Sequence, residues 1–413
     1  MRIENLRSET RQGRARIAAT VIWEDCNRPA EEVYFETEEQ YAGGLSCNPH
    51  AFLVGCIVPA MHYGEKRVAM DAEICPRLRS GVITALSWLR HWYYGSDREL
   101  VQIETRIQSR LPMPSTPERA GVFYSGGIDS FAALRDNRLN FSAEHPGSIK
   151  DGLLVYGLEL DDHKAFEYVK DSLTGVASEA GLTLIPVYTN VYLNYRDEDA
   201  RNDFKFWASE FMDAALASVA HAFSRRLTTV SIAAGDNITT MRPHGSHPML
   251  GPNYSSHDLM IRLEGFAQTR LDKTRLLSDW DVALQNLRVC NQSVLYNQDN
   301  INCGHCEKCI RTMLALMALG ALDRSRSFKE KDISAKQIRK AVSTDESPYI
   351  EKCYMELVEP LRKIGRHDLA AEIRYKFTLG KSLNNISKSI KRLDHIVLND
   401  GLRRLKQSIM PTK

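Results

Sequence analysis

The chain has 413 residues, enough for two or three domains, each with its own core. Apolar residues make up 43% and charged residues 26%, an ordinary balance for a soluble globular protein. MRIENLRSETRQGRAR lacks the apolar core of a secretory leader, and AFLVGCIVPAM (51–61) and TMLALMALGAL (312–322) are too short to span a bilayer, so a cytoplasmic protein is expected. The net charge is only +2, but Lys381–Lys413 carries eight Lys/Arg against Asp394 and Asp400. Such a basic tail suits RNA, lipid or an acidic partner, or simply a solvated helical face, since it has no aromatic residue to stack on bases.

In chain order, residues 1–117 read as an accessory mixed α/β region. ARIAATVIW (15–23) and VYFET (33–37) alternate like strands, and SGVITALSWLRHWYYG (80–95) has helical spacing. LPMPSTPER (111–119) has three prolines and suits a linker. Residues 118–325 then alternate strand and helix. The predicted strands are GVFY, GLLVYGLEL (152–160), LTLIPVY (182–188) and TTVSIAAG (228–235). A helix follows the first strand, and Asp161 or Asp162 caps the next, which Gly181 ends. A third spans roughly 203–223. Apolar strands separated by helices argue for a parallel, doubly wound sheet with ligands beyond the strands' carboxyl ends. Residues 326–413 read as a C-terminal helical appendage.

Between the first of these strands and its helix lies Ser125-Gly126-Gly127-Ile128-Asp129-Ser130. Paired glycines let the backbone turn tightly and let anion oxygens approach the amides, while the helix aims free N–H groups at the same point. Ser125 and Ser130 add hydroxyl donors. Asp129 would repel phosphate unless it holds Mg²⁺ or caps the helix. The lysine of a G-x-x-x-x-G-K-[ST] loop is missing.

Nine cysteines are too sparse for a disulfide scaffold, but Cys290, Cys303, Cys306 and Cys309 are spaced C-x12-C-x2-C-x2-C. Four thiolates satisfy a closed, structural Zn²⁺ shell that would pin the apolar helix 310–322. An iron–sulfur cluster and replacement of a thiolate by His305 are the alternatives.

The six-residue loop resembles the PP-loop of N-type ATP pyrophosphatases, which cut ATP between the α- and β-phosphates. With CGHCEKC (303–309) downstream, residues 119–322 resemble the 7-cyano-7-deazaguanine synthase family and its QueC-like relatives, some of which belong to anti-phage defence systems. The resemblance implies an adenine nucleotide α hydrolase-like fold with ATP, Mg²⁺ and Zn²⁺. Ser125, Gly126, Gly127, Asp129 and Ser130 would then hold the pyrophosphate and Mg²⁺, and the four cysteines would hold zinc. TRLDKTRLL (269–277) looks like the family's segment before the zinc loop. This makes Lys273 a candidate for stabilising developing negative charge, or otherwise a solvated lysine on a helix face.

TTMRPHGSHPMLGPNYSSHD (239–258) follows the fourth strand, where a substrate would enter. Its Arg242, His244, His247 and His257 are candidates for shaping a pocket, and His244 and His247 for proton transfer; loop packing is the plainer reading. The expected function is an ATP-dependent carbon–nitrogen ligase that adenylates a small carboxylate and passes the acyl group to ammonia or to an amine of a peptide or protein. A tRNA-modifying enzyme and a non-catalytic nucleotide-binding subunit of a defence complex are the alternatives.

Overall fold

The computed structural model describes residues 1–109, 118–195, 205–290, 301–343, 347–380 and Ser382. Most of the expected linker and, apart from Ser382, the basic tail lie outside these residues. The chain divides into two compact units, Met1–Cys303 with Arg324–Ser327, and Gly304–Asp323 with the chain from Phe328 on. Among the described residues no helix is long and apolar enough to cross a membrane.

The first unit is built on one ten-stranded mixed sheet. Its strands are β1 (Arg2–Arg11), β2 (Arg14–Ile22), β3 (Glu31–Glu38), β4 (Arg67–Ile74), β5 (Gln102–Ile107), β6 (Ala120–Phe123), β7 (Ile149–Tyr156), β8 (Thr183–Thr189), β9 (Thr229–Ala233) and β10 (Met260–Glu264). They lie in the order β10-β9-β6-β7-β8-β3-β2-β1-β4-β5. From β10 to β8 every pairing is parallel, whereas β8–β3, β3–β2 and β2–β1 are antiparallel. The purely parallel sheet expected from the alternation is thus half of a larger, mixed one.

The join is made at β3 and β8, where Phe35 pairs with Thr189 and Thr37 with Val187. Side chains reinforce it: Thr37 Oγ1 donates to Pro186 O at 2.7 Å, and Asn190 Nδ2 donates to Glu32 O at 2.7 Å. Strands β1–β5, all within residues 1–109, therefore share one sheet with the parallel strands, and residues of both halves contribute to one hydrophobic core.

Helix α1 (Pro49–Tyr63) starts from Asn48, whose side chain accepts from His50 N, with Pro49 in the first turn; Gly64 ends it in the left-handed conformation, φ +87. Residues His50–Met61 are all buried, so the apolar run 51–61 is a core helix. Helix α2 (Pro76–Leu89) follows β4, and its C-terminal end runs into a π-helical turn, Arg90–Tyr94.

In the parallel half, α3 (Ile128–Asn140) follows β6. Helix α4 (His163–Glu179) follows β7 and is capped by Asp162, whose Oδ1 accepts from Ala165 N at 2.8 Å. Strand β7 stops at Tyr156, short of the expected residue 160. Gly157 turns there with φ +95, and a Cβ on it would stand 1.7 Å from Thr189 O. The expected helix 203–223 is described as a π-helical turn, Trp207–Phe211, leading into α5 (Met212–Ala222). Helices α6 (Arg270–Ser278) and α7 (Asp281–Asn286) follow β10.

The second unit is helical, in line with the C-terminal segment read from the sequence. It comprises α8 (Glu307–Ala318), α9 (Ala335–Ala341), α10 (Pro348–Met355), α11 (Val358–Lys363) and α12 (His367–Arg374). Helix α8 buries Ile310, Met313, Leu314 and Leu316, and α12 buries Leu369, Ala370 and Ile373.

At the amino end of the parallel strands, Asp151 is wholly buried between two guanidinium groups. It accepts from Arg119 (Nη2 at 2.8 Å, and Nε) and from Arg226 (Nη2 at 2.9 Å, Nε at 3.0 Å). Burial pushes its carboxyl pKa up, but the hydrogen bonds from Arg119 and Arg226 outweigh it and hold the value below the ordinary range. The stabilisation is therefore complete above the pKa of an unfolded aspartate, about 3.9, and is lost as pH falls through the lower native value. Asp151→Ala should lower the unfolding free energy in urea at pH 7 by roughly 1–3 kcal/mol, because two half-buried guanidinium groups lose the acceptor they share. The gap from wild type should narrow below about pH 4.

Candidate functional site

The chain runs β6-α3-β7-α4-β8 in one direction across the sheet, then returns to lay β9 on the other side of β6. The strand order thus reverses between β6 and β9, and in open α/β sheets ligands bind beyond the carboxyl strand ends at such a point. The Ser-Gly-Gly loop stands there. Gly126 takes φ +75, and a Cβ on it would meet Leu173 Cδ2 at 2.9 Å, so the position requires glycine. Gly127 is the extended N-cap of α3. Ser130 Oγ donates to Gly127 O at 3.1 Å, and Ser125 Oγ lies 3.4 Å from Ser130 Oγ.

Helix α6 approaches the same turn. Its N-cap, Thr269, forms a capping box with Asp272, which fixes the first turn. Arg270 and Lys273 then lie three residues apart on one face. Arg270 Nη1 donates to Asp129 Oδ2 at 2.5 Å and Lys273 Nζ to Asp129 Oδ1 at 3.2 Å. Lys273 also donates to Ala234 O, just past β9, and is only 2% exposed, so it is a buried cation and not a solvated one. Burial pushes the Asp129 carboxyl up, but Arg270 and Lys273 more than offset this and hold it below the ordinary carboxylate range. Both Asp129 oxygens accept from cations, so neither capping of α3 nor a ready-made Mg²⁺ ligand describes its state.

A cavity of about 180 Å³ opens beside the loop. Ser125, Asp129 and Ser130 form its polar rim, while Leu154, Leu158 and Trp207 are among its apolar walls. Trp207 sits on the π-helical turn and donates its indole N–H to Glu159 Oε1 at 3.4 Å. Glu159 is presented by the Gly157 turn, in which Gly157 N donates to Leu160 O at 2.7 Å.

The structure brings Ser125, Gly126, Gly127, Asp129, Ser130 and Lys273 together, but spreads the histidines. His244 lies near Asp236, Arg242 and Glu159; burial lowers its pKa, Asp236 pulls it up, and Arg242 pushes it down. Arg242 itself pairs with Asp236 at 3.7 Å. His247 packs its ring against Trp92 at 4.8 Å and gives its backbone N–H to Asp213 Oδ2 at 2.9 Å. Asp213 is wholly buried, and burial raises its pKa to about 7 although His247, Ser246 and Gly251 pull it down. His257 lies 3.3 Å from Cys75 Sγ at the start of α2.

The cysteines converge as their spacing implies. One ligand atom from each of Cys290, Cys303, Cys306 and Cys309 lies within 4.8 Å of all the others, a set able to hold a metal ion. Thiolates about a tetrahedral ion stand about 3.8 Å apart, so the cluster fits such a shell with little adjustment.

Sequence reasoning missed Arg270, Arg288, Glu159 and Trp207. Arg270 had a local signal, since it lies one helical turn before Lys273. The others had none: only the fold brings the π-helical turn and the Gly157 loop to the cavity.

Gly126→Ala should destabilise by about 1–2 kcal/mol in urea melts, the cost of a left-handed alanine. Gly175→Ala is the control: it lies inside α4 with open space around it and should stabilise by roughly 0.5–1 kcal/mol.

Comparison with protein-family models, curated proteins and solved structures returns no match for this chain.

Proposed function

We propose that this protein is an ATP-dependent carbon–nitrogen ligase resembling 7-cyano-7-deazaguanine synthase, built on a PP-loop, adenine nucleotide α hydrolase-like half-sheet. The observation that carries this reading is the left-handed Gly126 turn between β6 and α3, placed where the strand order reverses. The free N–H groups at the start of α3 suit a pyrophosphate, and Ser125 and Ser130 supply hydroxyl groups beside them. Arg270 and Lys273 stand next to that point, held by a carboxylate that keeps two cations at close quarters before any anion arrives. Their charge serves the phosphates as the α–β bond breaks.

In the reaction, a carboxylate oxygen of the acid attacks the α-phosphorus, the bond to the bridging oxygen breaks, and pyrophosphate leaves. A nitrogen nucleophile then attacks the acyl carbon, AMP leaves, and the nitrogen loses a proton. The apolar cavity beside the loop suits a flat ring system, the 7-deazapurine acid or the adenine itself. Mg²⁺ enters as the companion of ATP, held mainly through phosphate oxygens. His244, buried near Asp236 and near Glu159 of the cavity wall, is the better candidate for proton transfer; His247 is committed to packing. The cysteine cluster is read as a structural zinc centre, its all-thiolate set leaving no open position.

Incubation with α-³²P-ATP and candidate deazapurine acids should release labelled AMP only with the matching acid; ADP in its place overturns the reading. Lys273→Met should cut that AMP release by about 10²-fold, since it removes one charge from the developing pyrophosphate. Chelation should remove about one zinc per chain by elemental analysis and lower the melting temperature.

A further inference from the structure

Residues Leu287–Cys290 form four consecutive buried positions without regular secondary structure. A buried irregular segment must still satisfy its backbone polar groups, and here the partners fall on two sides. On one side is Asn302, the neighbour of Cys303. Its Oδ1 accepts from Val289 N at 2.8 Å and Cys290 N at 3.1 Å, and its Nδ2 donates to Leu287 O at 2.7 Å and Ser327 O at 3.0 Å. Leu287 N donates to Ser327 Oγ at 2.8 Å. On the other side is the glycine loop. Arg288 N donates to Gly126 O at 2.8 Å, and Arg288 Nε donates to Ser125 O at 3.0 Å.

Arg288 thus holds both carbonyls of the Ser-Gly turn. In a trans peptide the carbonyl and the following N–H point in opposite directions. Fixing the carbonyls of Ser125 and Gly126 toward Arg288 therefore turns the N–H groups of Gly126 and Gly127 away from it, as a pair able to meet one anion. The segment that carries Arg288 is itself fixed by Cys290 at its end and by Asn302, which adjoins Cys303. Both cysteines belong to the set able to hold a metal ion.

We propose that Arg288 is a positioning residue for the Ser-Gly-Gly loop, and that the metal ion at the cysteine cluster holds Arg288 in place, so that metal occupancy governs nucleotide affinity. The proposal rests on the reading that this loop holds ATP phosphates.

The test combines hydrogen exchange with binding of a fluorescent ATP analogue, on the full chain, before and after chelation. Metal removal should speed exchange in segments 124–128 and 287–290 and weaken the analogue about tenfold or more, while β1–β3 keep their protection. If β1–β3 stay protected and both segment 124–128 and the affinity are unchanged, the proposal is overturned. Arg288→Ala with its metal content intact tests the contact without depending on the stability of the chelated chain. It should reproduce the faster exchange at 124–128 and the weaker binding, and wild-type behaviour overturns the proposal. Arg288→Lys keeps a donor for Ser125 O and should recover much of the affinity; no advantage over Arg288→Ala counts against a positioning role. If metal-loaded wild type binds no nucleotide, the phosphate reading falls, and the exchange comparison still decides whether metal and loop are coupled.

Discussion

Two cations from one turn of α6 converge on a single carboxylate, and the candidate site depends on that convergence. Arg270 and Lys273 would repel each other if Asp129 did not stand between them, and Lys273, almost wholly buried, would face a steep desolvation cost alone. Asp129 would in turn be an ill-placed charge beside an anion-binding turn without them. Each of the three groups is tolerable only because of the others. The capping box at Thr269 and Asp272 supports the arrangement by fixing the turn on which both cations ride.

The opposite end of the same strands repeats the chemistry with a different outcome. Asp151 also lies between two cationic side chains, but it is wholly buried and forked by both guanidinium groups. Asp129 keeps about a quarter of its side chain exposed, 26%, and opens on a cavity. Asp151, enclosed and saturated by four guanidinium hydrogen bonds, ties Arg119, β7 and Arg226 together and has no oxygen open to a ligand. A partly open one can exchange partners when a more highly charged anion arrives. The difference between a strut and a site here is solvent access, not residue type.

The loop after β9 shows the limit of reading residue types by neighbourhood. Arg242, His244, His247 and His257 are close in sequence, yet their side chains spread: Arg242 pairs with Asp236, His244 accepts from Ser246 N, His247 packs on Trp92 and His257 lies beside Cys75. Asp213, on α5, organises part of this loop by accepting from His247 N, and its own N–H goes to Gly245 O at 2.8 Å. No pattern in 239–258 announces a buried carboxyl some thirty residues earlier. Likewise β3 alternates like an ordinary strand, and nothing local says that it will pair with β8 and extend a parallel sheet into a mixed one.

What the sequence determined by itself was whatever short-range chemistry dictates. Ser-Gly-Gly after an apolar strand makes a left-handed turn into a helix, because only glycine fits there. Three cysteines within seven residues converge because the chain cannot carry them far apart. Asp162 caps α4 because its side chain reaches the free N–H groups three residues on. The tertiary structure decided which distant charges meet: Asp129 with Arg270 and Lys273, Asp151 with Arg119 and Arg226, and Arg288 with the glycine turn. Those pairings join residues from 32 to 163 positions apart. Their register follows from strand order and helix packing, which no local pattern of residues encodes.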